Sequence, residues 1–132
     1  VTLHERLDRV VEIEEPQVAR LGGAPEPPEG TFSRFTHCAG WRVANDEGVE
    51  APLNLAPGAQ LTLQGWLEGV RRGNCSLLAR WDGGEAVEIP LARVGPTGLA
   101  LPAPAEPGRH QLRLTFAAPP GGALVMDRLL VQ

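Results

Sequence analysis

The 132-residue chain predicts an all-β domain, an antiparallel β-sandwich. Short segments alternate apolar and polar side chains along most of the chain, as half-buried strands do, because successive strand residues point to opposite faces. Clusters drawn from 13 prolines and 16 glycines separate these segments. No segment after residue 16 has a helical period. Closely spaced strands joined by turns indicate two packed antiparallel sheets.

The first thirty residues predict one helical turn, one strand and a loop. Thr2 and Glu5 have the spacing of a capping box, and the sequence RVVEIEE alternates, so we expect a strand over about residues 9–15. Residues 16–30 contain four prolines and three glycines. Because proline lacks a backbone N–H and fixes its own φ, this segment predicts a surface loop.

The remaining strands follow at regular intervals, and tight turns such as Asp82-Gly83-Gly84 connect them, since glycine tolerates positive φ. The total of seven or eight strands predicts a single domain over residues 1–132. Because the chain opens on Val rather than Met, we expect it to be a module of a larger protein. After the first strand, the predicted strands cover residues 31–44, 59–70, 74–81, 85–91, 98–102, 110–116 and 123–131.

The composition excludes two classes of partner. The formal net charge is −4, with acidic and basic residues interspersed, so the sequence argues against nucleic-acid binding through a basic patch. No apolar run approaches the roughly 20 residues of a membrane span. All 12 basic residues are arginine, which indicates a GC-rich, bacterial genome.

The last predicted strand, ALVMDRLLV, carries two adjacent charges at its centre. Strict alternation places Asp127 on one face with Val125 and Leu129, and Arg128 on the other face with Met126. Both faces are otherwise apolar, so we expect the strand to be covered on both sides and Asp127 to need a partner.

The two final strands resemble the closing hairpin of galactose-binding-like jelly rolls, which include carbohydrate-binding modules appended to glycoside hydrolases. The resemblance implies a jelly-roll β-sandwich that is a non-catalytic carbohydrate-binding or accessory module. Its expected partners are a glycan or a neighbouring domain, and its expected location is extracellular or at the cell surface. The matching residues are Gly108, His110, Leu112 and Leu114 in the first strand, and Met126, Asp127 and Leu129 in the second.

The paired acids of the first strand, Glu12 and Glu14, also resemble these modules. The resemblance implies a structural calcium ion held by Glu12, Glu14 and Asp127, because calcium prefers several carboxylate oxygens. The alternative is that Asp127 pairs with an arginine or with loop amides while the two glutamates are solvated. By alternation the glutamates and Asp127 do not converge, so the calcium site requires a bulge.

Trp66 is the candidate binding residue, because it shares the polar face of its strand with Gln64. An indole on a polar sheet face can stack on a sugar ring. Gln64, Arg80 and Arg113 are the expected polar partners. The alternative is that the proline-rich loop, another domain or a second copy of the chain covers Trp66, which would make the domain a structural or protein-interaction β-sandwich.

Catalysis has little support in the sequence. The chain has no nucleophile elbow, no phosphate-binding loop and no zinc motif, so we expect no enzyme activity from this domain. Trp41 and Trp81 share faces with apolar residues and predict core positions. Cys38 and Cys75 leave one disulfide bridge or two buried free thiols as alternatives.

Overall fold

The computed structural model describes residues 9–13, 15–26, 40–68, 75–91 and 95–132. All regular structure in this part of the chain is β-strand, and none of it is a helix that could cross a membrane. The described strands are β1 (Arg9–Glu12), β2 (Ala19–Leu21), β3 (Ala24–Glu26), β4 (Gly40–Val43), β5 (Gly48–Leu55), β6 (Leu61–Glu68), β7 (Cys75–Trp81), β8 (Ala86–Leu91), β9 (Gly95–Leu101), β10 (Gly108–Ala117) and β11 (Ala123–Val131).

These strands form two sheets in which every described pairing is antiparallel. The six-stranded sheet has the order β3-β4-β11-β6-β9, and β1 pairs with the second half of β11. The five-stranded sheet has the order β2-β5-β10-β7-β8. The prediction of an antiparallel β-sandwich is therefore confirmed.

The core lies between the two sheets, where the inward faces of the central strands meet. In β6 the alternation is complete: Leu61, Leu63, Gly65 and Leu67 are buried, and the residues between them are half-buried. Phe116 of β10 is fully buried in the same cluster. Inward and outward faces are thus clearly separated in the strands that carry the candidate site.

The chain crosses from one sheet to the other at Gly22 and Gly23, between β2 and β3. Both glycines have positive φ, 78° and 81°. A Cβ on Gly23 would lie 2.5 Å from the indole nitrogen of Trp41. The guanidinium carbon of Arg20 lies over the Trp41 ring, 5.1 Å from the ring centroid. The indole Nε1–H of Trp41 donates a hydrogen bond to the Gly22 carbonyl at 2.7 Å. Only glycine allows this close approach.

The proline-rich segment is more ordered than its composition predicts, because β2 and β3 lie within the predicted loop of residues 16–30. β5 was also not predicted, because Pro52 interrupts its pattern. β2 covers only the first three residues of β5, so the stretch around Pro52 is an edge where a missing N–H does not interrupt a ladder. The predicted helical turn at the N-terminus lies outside the described residues.

β11 departs from strict alternation at Asp127. Met126 pairs with Gly65 and Arg128 pairs with Gln64, so Asp127 is an extra residue, a β-bulge. Leu129 therefore faces the core together with Met126, rather than sharing a face with Asp127. The face assignment from strict alternation is wrong beyond this point, while the bulge that the calcium prediction required is present.

Candidate functional site

The outer face of the six-stranded sheet presents Trp66 to the surface. Thr62, Gln64, Trp66 and Glu68 alternate with the buried leucines of β6, and all four are half-buried. The prediction that Trp66 shares an outward face with Gln64 is confirmed. On the β11 side, Trp66 lies opposite the buried Val125, so an apolar residue supports the ring from below.

On the β9 side of this face, the residues opposite Gln64 and Thr62 are small. Gln64 lies opposite Gly98, and Thr62 lies opposite Ala100, both of which are exposed. A Cβ added at Gly98 would meet only the methyl group of Thr62, at 3.8 Å. An open floor therefore lies beside Gln64 and diagonal to Trp66. We call these outward positions, Thr62, Gln64 and Trp66 of β6 with Gly98 and Ala100 of β9, the Trp66 shelf.

On its other side the shelf meets an acidic edge formed by β1 and β11. Arg128 lies opposite Gln64 in β6 and opposite Glu12 in β1. Its Nε lies 3.1 Å from Asp127 Oδ2 and 3.9 Å from Glu12 Oε1. The ion pair between Asp127 and an arginine, left open as an alternative, is therefore formed. Sequence reasoning missed Arg128 as a neighbour of the shelf, because only the bulge turns it toward Gln64.

The acidic edge also retains carboxylate oxygens without donors. The side chain of Asp127 is 10% exposed, and within the described residues neither its Oδ1 nor Oε2 of Glu12 accepts a hydrogen bond, although both atoms are buried. Buried carboxylate oxygens without donors are suitable ligands for calcium. Glu14 lies outside the described residues, and the rest of the described chain brings no group of three acidic, histidine or cysteine side chains together. A full shell would thus need Glu14 or backbone carbonyls.

The two predicted arginine partners do not join Trp66. Arg80 lies on β7 and Arg113 on β10, directly opposite each other on the outer face of the five-stranded sheet. The core of the sandwich separates them from Trp66 and Gln64. The prediction of one site containing all four residues is therefore wrong. Because two sheets share one core, a polar face can belong to either sheet, and alternation alone does not assign it.

Trp41 and Trp81 pack against the core but are only half-buried. Each indole nitrogen donates to a backbone carbonyl, Trp41 to Gly22 and Trp81 to Pro102, both at 2.7 Å. These hydrogen bonds tie the two indoles to connecting segments of the chain. The prediction that both tryptophans occupy the core is correct only in part, because each ring packs against the core but stays half-buried.

His110 forms a charged clasp at one end of the five-stranded sheet. Its Nδ1 lies 2.6 Å from Asp82 Oδ2, and its Nε2 lies 2.8 Å from the Glu106 carbonyl. Both partners are acceptors, so the protonated ring, in which both nitrogens donate, satisfies both contacts. The hydrogen bond that His110 donates to the Asp82 carboxylate raises the pKa of His110 and lowers the pKa of Asp82.

Cys75 is a buried free thiol, and burial raises its pKa. Its proposed disulfide partner, Cys38, lies outside the described residues. Of the two alternatives for the cysteines, the structure supports the free thiol for Cys75.

The fold occurs in several solved structures of proteins that act on or bind carbohydrates. The CBM36-1 domain of a multidomain xylanase from the hindgut metagenome of Trinervitermes trinervoides matches with a TM-score of 0.66 and 17% identity, over 95% of this chain and 96% of that domain. A family 35 carbohydrate binding module from Clostridium thermocellum matches with a TM-score of 0.67 and 16% identity, over 94% and 96%. The chain has the jelly-roll fold of these carbohydrate-binding modules.

The same fold also covers part of a larger enzyme. An acetyl xylan esterase from the rumen bacterium Butyrivibrio proteoclasticus matches with a TM-score of 0.67 and 15% identity, over 96% of this chain but only 33% of the esterase. No protein-family model and no curated protein matches the sequence. The fold that the closing hairpin predicted is confirmed, and at these identities the likeness shows the fold alone.

Proposed function

We propose that this domain is a non-catalytic carbohydrate-binding module and that the Trp66 shelf is its glycan site. The observation that carries the proposal is a half-buried, outward-facing indole next to Gln64, with open space at Gly98 on the neighbouring strand. The fold adds support, since solved structures that share it include carbohydrate-binding modules.

The shelf has the two features that sugar recognition needs. A pyranose ring has an apolar C–H face that can stack on the Trp66 indole, and hydroxyl groups that need hydrogen-bond partners. The amide of Gln64 both donates and accepts, and the hydroxyl of Thr62 does the same two residues along the strand. Gly98 leaves room for a ring beside them. The role of each residue is to hold and orient the sugar, without chemistry on it.

Fluorescence titration with xylo-oligosaccharides, followed by a wider glycan array, tests the proposal. Xylan-derived probes come first because a xylanase module and a xylan esterase share the fold. We expect binding to change the tryptophan emission, and Trp66→Ala to weaken binding while circular dichroism shows an intact fold. Stacking of a nucleic-acid base on one aromatic side chain is worth about 1–3 kcal/mol, and a stacking energy of the same order for a sugar ring would make affinity fall at least about fivefold.

A pair of glycine variants provides the matched control, because it leaves all three tryptophans in place. Gly98→Ala adds one methyl group in open space and should retain affinity, whereas Gly98→Leu should fill the floor and block the ring. The proposal fails if no glycan binds, or if Gly98→Leu and Trp66→Ala both bind as the wild type does.

The second candidate function is an interaction module whose Trp66 face packs on a neighbouring domain or on a second copy of the chain. This reading predicts no glycan binding and, for a second copy, a dimer in sedimentation equilibrium that Trp66→Ala dissociates. A monomer that binds glycans would exclude it.

We also propose a structural calcium ion at the acidic edge, held by Glu12, Glu14 and Asp127. Support comes from the buried carboxylate oxygens of Glu12 and Asp127, which accept no hydrogen bond from the part of the chain that the structure describes. The ion would neutralise these carboxylates and fasten β1 to β11. A ligand that binds only the native state raises its stability, so EDTA should lower the melting temperature and added calcium should restore it. If EDTA leaves the melting temperature unchanged, the calcium proposal fails and Arg128 is the partner of Asp127.

We infer, finally, that the domain serves a larger glycan-active protein at the cell surface or outside the cell. The fold neighbours support this, because one is a domain of a multidomain xylanase and the chain covers only a third of the esterase. The reading frame that encodes this chain should then contain a catalytic domain and an export signal.

A further inference from the structure

The outer face of the five-stranded sheet carries an excess of positive charge. Arg109 and Arg113 of β10 and Arg80 of β7 are exposed on this face, and we call these three residues the arginine face. Two glutamates, Glu50 of β5 and Glu88 of β8, share it. The protein as a whole has a net charge of −4, so this local excess is opposite to the overall charge.

Arg80 and Arg113 lie directly opposite each other on neighbouring strands. Like charges at such paired positions destabilise a sheet. Glu50 offsets only one of them, because its Oε1 lies 3.2 Å from Arg113 Nε while its Oε2 accepts a hydrogen bond from Gln111 at 2.9 Å. Both oxygens of Glu50 are therefore used within β5 and β10.

Arg80 has no carboxylate of its own. Its partner on β8 is Ala86, and the Glu88 carboxylate, on the diagonal, accepts a hydrogen bond from Ser76 at 2.9 Å instead. Within the described part of the chain Arg80 forms neither an ion pair nor a hydrogen bond. The donors of its guanidinium are therefore unused within this part of the chain, and the residue lies opposite a second arginine, an arrangement that costs stability and suits an anion.

We propose that the arginine face is a second binding site, which takes the carboxylate or sulfate groups of an acidic polysaccharide between Arg80 and Arg113. Guanidinium groups bind such planar or multi-oxygen anions through two parallel hydrogen bonds. The proposal rests on the proposed function as a glycan-binding module, but it uses the opposite face of the sandwich and different residues.

The same face has room for more than one sugar unit. Arg109 lies four residues before Arg113, roughly 13 Å along the strand. At that end a cleft of about 340 Å³ is lined by Arg109, Asn54 and Pro52, so polar donors and one apolar ring continue the site. A polymer with regularly spaced anionic groups could contact both ends.

Affinity electrophoresis in gels that contain polygalacturonate, heparin or neutral xylan tests the proposal. The first polymer presents carboxylates, the second adds sulfates, and the third is the uncharged reference. We expect at least one acidic polymer to retard the wild type, and Arg80→Gln to weaken that retardation about tenfold, as the loss of a charge-assisted pair predicts. Arg113→Gln should do the same, while both variants keep any binding to neutral glycan.

Arg42→Gln is the charge-matched control, because it removes one arginine from the other sheet. The proposal is overturned if neither acidic polymer binds, or if Arg42→Gln weakens binding as much as Arg80→Gln does, since retardation would then report overall charge. Trp66→Ala separates the two proposals: it should leave binding to acidic polymers unchanged. A wild-type protein that binds acidic polymers but no neutral glycan would contradict the proposal for the Trp66 shelf and support the proposal for the arginine face.

Discussion

Gly65 is the residue on which the geometry of the Trp66 shelf depends most directly. It lies between Gln64 and Trp66 in β6, opposite Met126 and next to the bulge at Asp127. A Cβ at this position would lie 2.2 Å from the carbonyl oxygen of Val125. The atom it meets belongs to the backbone of a central strand, so no side chain can rotate away. Gly65→Ala should therefore displace β6 from β11.

The expected cost follows from that contact. An ordinary Cβ contact exceeds 3.4 Å, so the two strands must separate locally by about 1 Å. Overpacking of this kind costs about 1–3 kcal/mol, and weakening one ladder hydrogen bond adds about 1 kcal/mol. Alanine in a strand returns about 0.5–1 kcal/mol relative to glycine. The middle of these ranges gives an expected net loss of about 2–3 kcal/mol.

Thermal unfolding monitored by circular dichroism measures this loss. An unfolding entropy of about 2.1 cal/mol/K per residue gives about 0.28 kcal/mol/K for this chain, so the melting temperature should fall by about 7–11 °C. Gly98→Ala is the control on the neighbouring strand, where the same methyl group meets open space, and it should melt at or slightly above the wild-type temperature. A Gly65→Ala variant that melts within about 2 °C of the wild type would refute the close approach of the two strands.

Two further predictions concern titratable groups. The pKa of His110 is raised above its usual 6.5, so its hydrogen bond to Asp82 stabilises the fold fully below pH 6.5, and this stabilisation is lost as pH rises through the folded pKa. The pKa of Asp82 is lowered below 3.8, so the stabilisation that the ionised Asp82 provides is lost as pH falls through its folded pKa. The melting temperature should therefore fall between pH 6 and 9 more in the wild type than in His110→Gln, and equal falls would contradict the clasp. Burial raises the pKa of Cys75, so in a Cys38→Ser background a thiol reagent should label the native protein far more slowly than the unfolded one at pH 8; equal rates would show that Cys75 is accessible.

The sequence predicted the parts of the fold that depend on local alternation. β6 is a clear case, because buried and half-buried residues alternate along its whole length, and Trp66 was correctly placed on its outward face. β5 could not be predicted, because a proline inside a strand is acceptable only where one edge is free, which is a property of the sheet. The assignment of Arg80 and Arg113 failed for the same reason: the sheet to which a polar face belongs is set by topology.

The charged pair at the centre of β11 shows how one inserted residue organises the candidate site. Without the bulge, Arg128 would face the core together with Met126, and Asp127 would share a face with Leu129. The extra residue at Asp127 keeps Met126 and Leu129 in the core and turns Arg128 outward, opposite Gln64. Its guanidinium then lies beside Asp127 and Glu12 and also next to the shelf. The acids that the resemblance assigned to calcium and the glutamine assigned to sugar thus lie on either side of the same arginine.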